Sequence, residues 1–206
     1  MVIAMLELTK ERVIPKKMHP QNGLLIEHKA RYRFASKYCS GRILDIACGV
    51  GYGTEMMLAL GEGIKEIVGV DINPDVIHYA KKNYQHPPIT FSVGDVNNKD
   101  LIEQLGQFDT IVSFETVEHI ENDFAFIDNL NKLLKIDGTL IISTPFGQGR
   151  NEPCANPHHY RQYREKEFRE LLAIFSDIKL YCQVDKRIEV PKPDEKYYLM
   201  VAVCQK

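Results

Sequence analysis

The residues best placed to do chemistry in this chain are carboxylates set beside glycines where apolar runs end. The stretch Asp45-Ile-Ala47-Cys-Gly49-Val-Gly51-Tyr-Gly53 follows one such run. Glycines at a strand-to-helix junction let a ligand approach the backbone, and the helix N-terminus behind them favours a ligand carrying negative charge. A dinucleotide fingerprint would read GxGxxG; here Gly53 arrives one position early. Asp45 sits inside the run, where an acid suits an ammonium group better than a pyrophosphate. A tight turn that merely packs a helix on a strand would use the same glycines. Asp71 ends a second run about 20 residues on, where an acid can accept both hydroxyls of a ribose. Asp95, in Val93-Gly94-Asp95-Val96, ends a third and can accept a hydrogen bond from an adenine amino group. Each acid alone reads equally well as a cap or turn residue. Three at the ends of consecutive parallel strands converge on one crevice.

A second constellation is Glu115-Thr-Val-Glu118-His119. In a helix, positions i, i+3 and i+4 share a face, so two carboxylates and an imidazole would point together. Such an oxygen and nitrogen set suits Mg²⁺ or Mn²⁺ better than zinc. His158 and His159 follow about forty residues later. The simpler alternative has Glu115 touching the edge of a cofactor and His119 acting as a general base or a packed helix residue. Cys48 reads as a small packing residue rather than a nucleophile. Tyr160, Arg161, Tyr163 and Arg164 read as substrate contacts or as a mobile basic loop.

The elements that must position these groups alternate regularly. Strands are expected over 42–47, 66–72, 89–93, 110–114 and 139–143, with helices over 54–60, 74–83, 100–105 and 124–134 between them. That alternation implies right-handed βαβ units and a parallel sheet. The ending departs from it: a helix over 166–175 precedes strands over 178–184 and 198–204, expected as an antiparallel pair closing the sheet. Residues 1–40 read as one or two helices, clearest over 27–38. Residues 145–164 form a long Gly/Pro/Asn segment without a period, the kind of loop that is usually functional or disordered.

Composition narrows the function classes. The 206 residues fit one domain, and 44% apolar with 26% charged residues excludes a disordered or fibrous chain. A formal charge of −2 supplies no global attraction to nucleic acid or anionic lipid. No run approaches the eighteen or so apolar residues of a membrane span. The apolar stretch at 1–8 lacks a basic lead and does not read as a signal peptide. Five cysteines without a CxxC pair argue against a disulfide framework or thiolate zinc site, and a reducing cytoplasm is the simplest setting.

Taken together, the motifs over about residues 27–206 resemble the class I S-adenosylmethionine (SAM)-dependent methyltransferases. Asp45-x-Ala47-x-Gly49-x-Gly51 is similar to the family's DxGxGxG motif, with Ala47 in the first glycine position. Asp71 and Gly94-Asp95 match the acids after the second and third strands. The stretches 108–115 and 134–145 are similar to the motifs around the fourth and fifth strands. The resemblance implies a Rossmann-like α/β fold: seven strands, mostly parallel, helices on both faces, and the last strand antiparallel beside the fifth. It implies one methyltransferase domain, with a helical cap at 1–40, a SAM-binding half at 41–145 and a substrate side at 146–206. Asp45, Ala47, Gly49, Gly51, Asp71, Ile72, Asp95, Val96 and Glu115 would then bind the cofactor, with S-adenosylhomocysteine as product. Arg31 resembles the arginine that ubiquinone-pathway O-methyltransferases set over the SAM carboxylate, with Lys29 and Arg33 competing for the role. Glu115, Glu118, His119 and His159 resemble the metal set of those enzymes and of small-RNA 2′-O-methyltransferases. There a cation holds the acceptor hydroxyl and lowers its pKa. His119 and His159 are the candidate catalytic residues, and residues 1–35 and 145–165 the candidate lid.

The expected function is methyl transfer to a hydroxyl or amine of a small molecule or of a glycan or lipid precursor, by a cytoplasmic monomer or homodimer. RNA 2′-O-methylation and an inactive SAM-binding protein are the alternatives. The acidic pI near 6.4 counts against nucleic acid, and intact acids at three strand ends count against loss of activity.

Overall fold

The apolar runs pair into a single sheet. The computed structural model describes residues 12–154 and 156–206, so the apolar stretch at 1–8 lies outside the described residues. The chain runs α1 (Gly23–Ala35), β1 (Gly41–Ile46), α2 (Tyr52–Leu60), β2 (Ile64–Asp71), α3 (Pro74–Tyr84), β3 (Ile89–Val93), α4 (Lys99–Leu105) and β4 (Phe108–Phe114). It continues with α5 (Asp123–Leu133), β5 (Leu134–Pro145), α6 (Glu165–Leu171), β6 (Asp177–Val184), β7 (Arg187–Glu189) and β8 (Leu199–Gln205). The strand order is β3-β2-β1-β4-β5-β8-β6-β7. Neighbours among β1 to β5 are parallel, and β8 runs antiparallel between β5 and β6. The order reverses between β1 and β4, and a crevice opens at the carboxyl ends of the strands there.

Alternation along each strand sends successive side chains to opposite faces. Ile43, Ile67, Val112 and Ile141 pack on one face with Tyr32, Met57 and Ile77 of α1 to α3. Leu44, Val68, Ile111 and Leu140 pack on the other with Phe126, Leu130 and Phe168 of α5 and α6. Helix starts follow local chemistry: Asn73 accepts the Asp75 and Val76 N–H groups ahead of α3, and Asn122 accepts the Ala125 N–H ahead of α5.

Three features differ from the sequence reading. The sheet has eight strands, not seven, because Asp185 turns with φ 49° and folds β7 back onto β6. A strand of three residues is too short to show a period. The fifth strand starts well before the expected residue 139: Leu134 already pairs with Phe108, and Asp137-Gly138 forms an irregularity within β5 rather than a separating turn. The Glu115–His119 stretch is no α-helix either: Glu115 adopts φ 48°, and a single 3-10 turn covers Val117–His119.

Gly53 owes its place to packing. Tyr32 of α1 lies against the start of α2, and a Cβ on Gly53 would come within 2.0 Å of its ring. The same ring meets Phe114 edge-on at 5.1 Å between centroids. Gly53→Ala is therefore expected to destabilise the fold by about 1–3 kcal/mol through overpacking. Gly23→Ala, at a helix start where a Cβ meets nothing within 4 Å, should be neutral or slightly stabilising. Urea unfolding of the two variants checks the contrast.

Candidate active site

The loop after β1 is built from left-handed backbone. Ala47 (φ 58°), Gly49 (φ 54°) and Gly51 (φ 87°) all lie there, and only Ala47 bears the steric cost of a Cβ in that region. The Cys48 N–H donates to the Val70 carbonyl at 3.0 Å. Asp71 ties the loop down, its two carboxylate oxygens accepting the Gly49 N–H at 3.0 Å and the Asn73 N–H at 2.9 Å. A Cβ on Gly49 would touch nothing within 4 Å, so its open side faces the crevice.

Two adjoining cavities of about 420 and 440 Å³ share Ala47, Asp71, Glu115 and His119. Gly49, His28, Glu118 and His159 complete the inner one, and Ile72, Asp95, Val96 and Tyr160 the outer. Asp95 is exposed, one oxygen accepting the Asn97 N–H at 2.8 Å. Three predicted residues, Gly51, Asp45 and Arg31, do not line the crevice. Gly51 backs onto Phe91, which a Cβ there would meet at 2.6 Å. Asp45 lies buried behind the loop, accepting hydrogen bonds from Thr54 at 2.7 Å and the Tyr32 hydroxyl at 3.3 Å. No ammonium group can reach an acid so enclosed without rearrangement.

Of the three basic residues on α1, only Arg31 turns inward, 1% exposed. It donates to Gln183 Oε1 at 2.8 Å and lies 3.0 Å from Glu115 Oε1. His28, one turn earlier, stands 3.0 Å from the other Glu115 oxygen. Burial lowers the His28 pKa, against the raising effect of its hydrogen bond to Glu115. Burial alone would raise Glu115, but the Arg31 guanidinium and the His28 hydrogen bond hold it down to about 2. Arg31 Nε is buried without a hydrogen-bond partner among the described residues.

Beyond Glu115 the 3-10 turn redirects the chain. Glu118 is buried, one oxygen accepting from Thr144 at 3.0 Å and the other, Oε1, without a partner among the described residues. Burial and the nearby Glu115 charge push its pKa up to about 8. His119 Nδ1 lies 3.0 Å from the His158 carbonyl, which can only accept, so Nδ1 carries the proton and Nε2 keeps a lone pair. Its ring meets that of His159 edge-on at 4.6 Å. One ligand atom each from Glu118, His119 and His159 lie within 4.8 Å of one another. Glu115, predicted to join them on a helix face, is drawn away to Arg31.

The 145–164 segment that delivers His159 is anchored. Asp123, 1% exposed, accepts from Arg150, from Arg161 at 2.7 Å and from the Tyr163 hydroxyl at 2.7 Å. Tyr163 is fully buried, so it packs the core and is no substrate contact. The Tyr160 N–H donates to the Glu118 carbonyl at 2.8 Å.

Residues 44–142 match a family model described as a methyltransferase domain. A probable S-adenosylmethionine-dependent methyltransferase of Mycolicibacterium smegmatis is 28% identical over 81% of this chain and 63% of its own length. The mitochondrial ubiquinone biosynthesis O-methyltransferase of Dictyostelium discoideum is 33% identical over 50% of this chain and 34% of its own. Among solved structures, a SAM-dependent methyltransferase from Archaeoglobus fulgidus superposes with TM-score 0.65 at 17% identity, covering 90% of this chain and 95% of that one. Residues 44–142 are thus similar to methyltransferase domains, and the chain shares the class I methyltransferase fold. It spans about three fifths of the length of the curated relatives it matches first.

The matched stretch runs from within β1 to within β5 and includes the glycine loop, whereas α1 and the His159 segment lie outside it. Tyr160, one of the aromatics read as substrate contacts, lines the outer cavity, whereas His28 is a crevice residue that sequence reasoning did not single out. The spacing of His28 one helical turn before Arg31 was the available signal for it.

Burial pushes the Asp45 carboxyl up to about 7 against the hydrogen bonds from Thr54 and Tyr32. A carboxyl raised above its unfolded value contributes stability at low pH that is lost as pH rises through the folded value. Stability should therefore fall between about pH 4 and about pH 7, and Asp45→Asn should fall less over the same window. Denaturant midpoints across that range give the comparison.

Proposed function

We propose that this protein transfers the methyl group of SAM to a hydroxyl oxygen or amine nitrogen of a small molecule or of a glycan or lipid precursor. The observation that carries the reading is the junction of the two cavities, where Asp71, Glu115 and His119 are shared between an outer side lined by Asp95 and an inner side that holds the glycine loop and His159. The outer cavity, with Ile72, Asp95 and Val96, suits the nucleoside. The inner one, with Gly49 and the buried Arg31 behind Glu115, suits the amino-acid end. Arg31, with an unpartnered Nε, is the residue assigned to the cofactor carboxylate. The acceptor approaches from the side of His119, His159 and Pro145. Its lone pair attacks the methyl carbon in line, the carbon–sulfur bond breaks, and the sulfonium becomes the neutral thioether of S-adenosylhomocysteine. Orientation and exclusion of water supply most of the rate. His119, with its free Nε2 lone pair, takes the acceptor proton. The same reading includes a reducing cytoplasmic setting, consistent with five free cysteines.

A second element of the reading is favoured by the Glu118, His119 and His159 cluster. An orphaned buried carboxylate oxygen beside two imidazoles fits a divalent cation such as Mn²⁺ or Mg²⁺. These three residues, without Glu115, would hold it. Such an ion would lower the pKa of an acceptor hydroxyl.

Asp71→Ala should weaken S-adenosylhomocysteine binding by about 1.5–3 kcal/mol, the range for a charge-assisted hydrogen bond. It should also lower stability by about 1–3 kcal/mol, since two backbone N–H groups lose their acceptor. Unchanged affinity by calorimetry in a folded variant would remove the ribose assignment.

The metal is tested separately. With a resident cation, EDTA should abolish methyl transfer while sparing S-adenosylhomocysteine binding, and Mn²⁺ or Mg²⁺ should restore it. Glu118→Ala and His119→Ala should then each mimic the chelator, with non-additive effects. Full activity in EDTA, with a loss on the order of 10²–10⁴ in rate for His119→Ala alone, would leave a metal-free general base.

A further inference from the structure

Helix α1 has a second face that methyl transfer leaves unused. His28 and Tyr32 line the crevice, while Lys29 and Arg33, one turn apart on the opposite side, open onto a separate cavity of about 310 Å³. Lys37 continues the stripe, and Lys186 reaches the cavity from the turn between β6 and β7. The rest of its lining is apolar, with Phe34 and Ile188 on the floor, and no carboxylate contributes.

Several surface cations elsewhere are neutralised locally: Lys132 pairs with Asp128, Lys135 with Asp109 and Lys192 with Glu189. None of the four rim cations has such a pair among the described residues; Lys37 instead lies over the Phe34 ring at 5.9 Å. Four like charges around one concavity repel one another, in a chain whose formal charge is −2. A ligand with several negative oxygens removes that repulsion, and a guanidinium fork matches phosphate geometry. One carboxylate would answer only one of the four charges.

We propose that the groove between α1 and the β6–β7 turn binds a multiply charged phosphoanion carried on an apolar body. The rim cations take the oxygens, and the Phe34 and Ile188 floor takes the body. A soluble phosphate ester and the headgroup of an anionic lipid share this chemistry. Two arms separate them: calorimetry with inorganic tripolyphosphate, and cosedimentation with phosphatidylcholine vesicles with or without phosphatidic acid, whose phosphomonoester can carry two charges. Binding to tripolyphosphate assigns a soluble source, and binding confined to phosphatidic acid vesicles a headgroup.

In whichever arm binds, Lys29→Gln with Arg33→Gln, and separately Lys37→Gln with Lys186→Gln, should lower affinity at least about tenfold, with the loss shrinking at high salt. Lys81→Gln with Lys82→Gln, exposed on α3, should change little. S-adenosylhomocysteine affinity should be unaltered in all three, as a check on folding. No binding in either arm, or an equal loss in the α3 variant, would overturn the proposal.

Discussion

A guanidinium that is 1% exposed must meet a counter-charge, and the position of Glu115 answers that demand. An isolated buried charge costs several kcal/mol even after relaxation. Glu115 leaves β4 with left-handed backbone to reach Arg31, and the chain continues as one 3-10 turn. That turn sends Glu118 inward to Thr144 and His119 towards the His158 carbonyl. The acceptor side of the crevice thus takes its shape from an ion pair behind it.

Two acids three residues apart are pushed in opposite directions by their surroundings. Glu115, against Arg31 and His28, is held ionised, whereas burial and the like charge of Glu115 raise the Glu118 pKa to about 8. Environments that push neighbouring acids apart separate their roles. Asp71 combines two tasks. By accepting backbone N–H groups from the loop and from the α3 start, it preorganises the glycine segment without help from a ligand. Asp45 has the more remote task of joining α1 and α2 beneath that segment through Tyr32 and Thr54.

The long segment after β5 looks mobile by composition yet is tied at several points. Asp123 gathers Arg150, Arg161 and Tyr163, and the Gly147 N–H donates to the Tyr163 carbonyl at 2.8 Å. Breaking so buried a set by removing the acid is the costly kind of loss. With both ends held, His159 and Tyr160 face the inner and outer cavities from adjacent positions, so one segment touches both halves of the crevice.

The sequence by itself determined the alternation of strands and helices, the glycine loop, and the acids at the ends of β1, β2 and β3. These are local signals: apolar period, cap residues and breakers act within a few positions of one another. Its motifs also carried a resemblance to methyltransferase domains, because the spacing of Asp45, Gly49, Asp71 and Asp95 reflects a crevice built by consecutive strands. What only the tertiary structure decided is which acid faces the ligand. Asp45 is sealed behind Tyr32, Glu115 belongs to Arg31, and Lys29 and Arg33 look away while Arg31 looks in. The conformation at Glu115 depends on a partner over eighty positions away, and no window of sequence contains both. A buried charge is satisfied by whatever the fold brings near it, so its partner becomes visible only once the sheet and α1 have met.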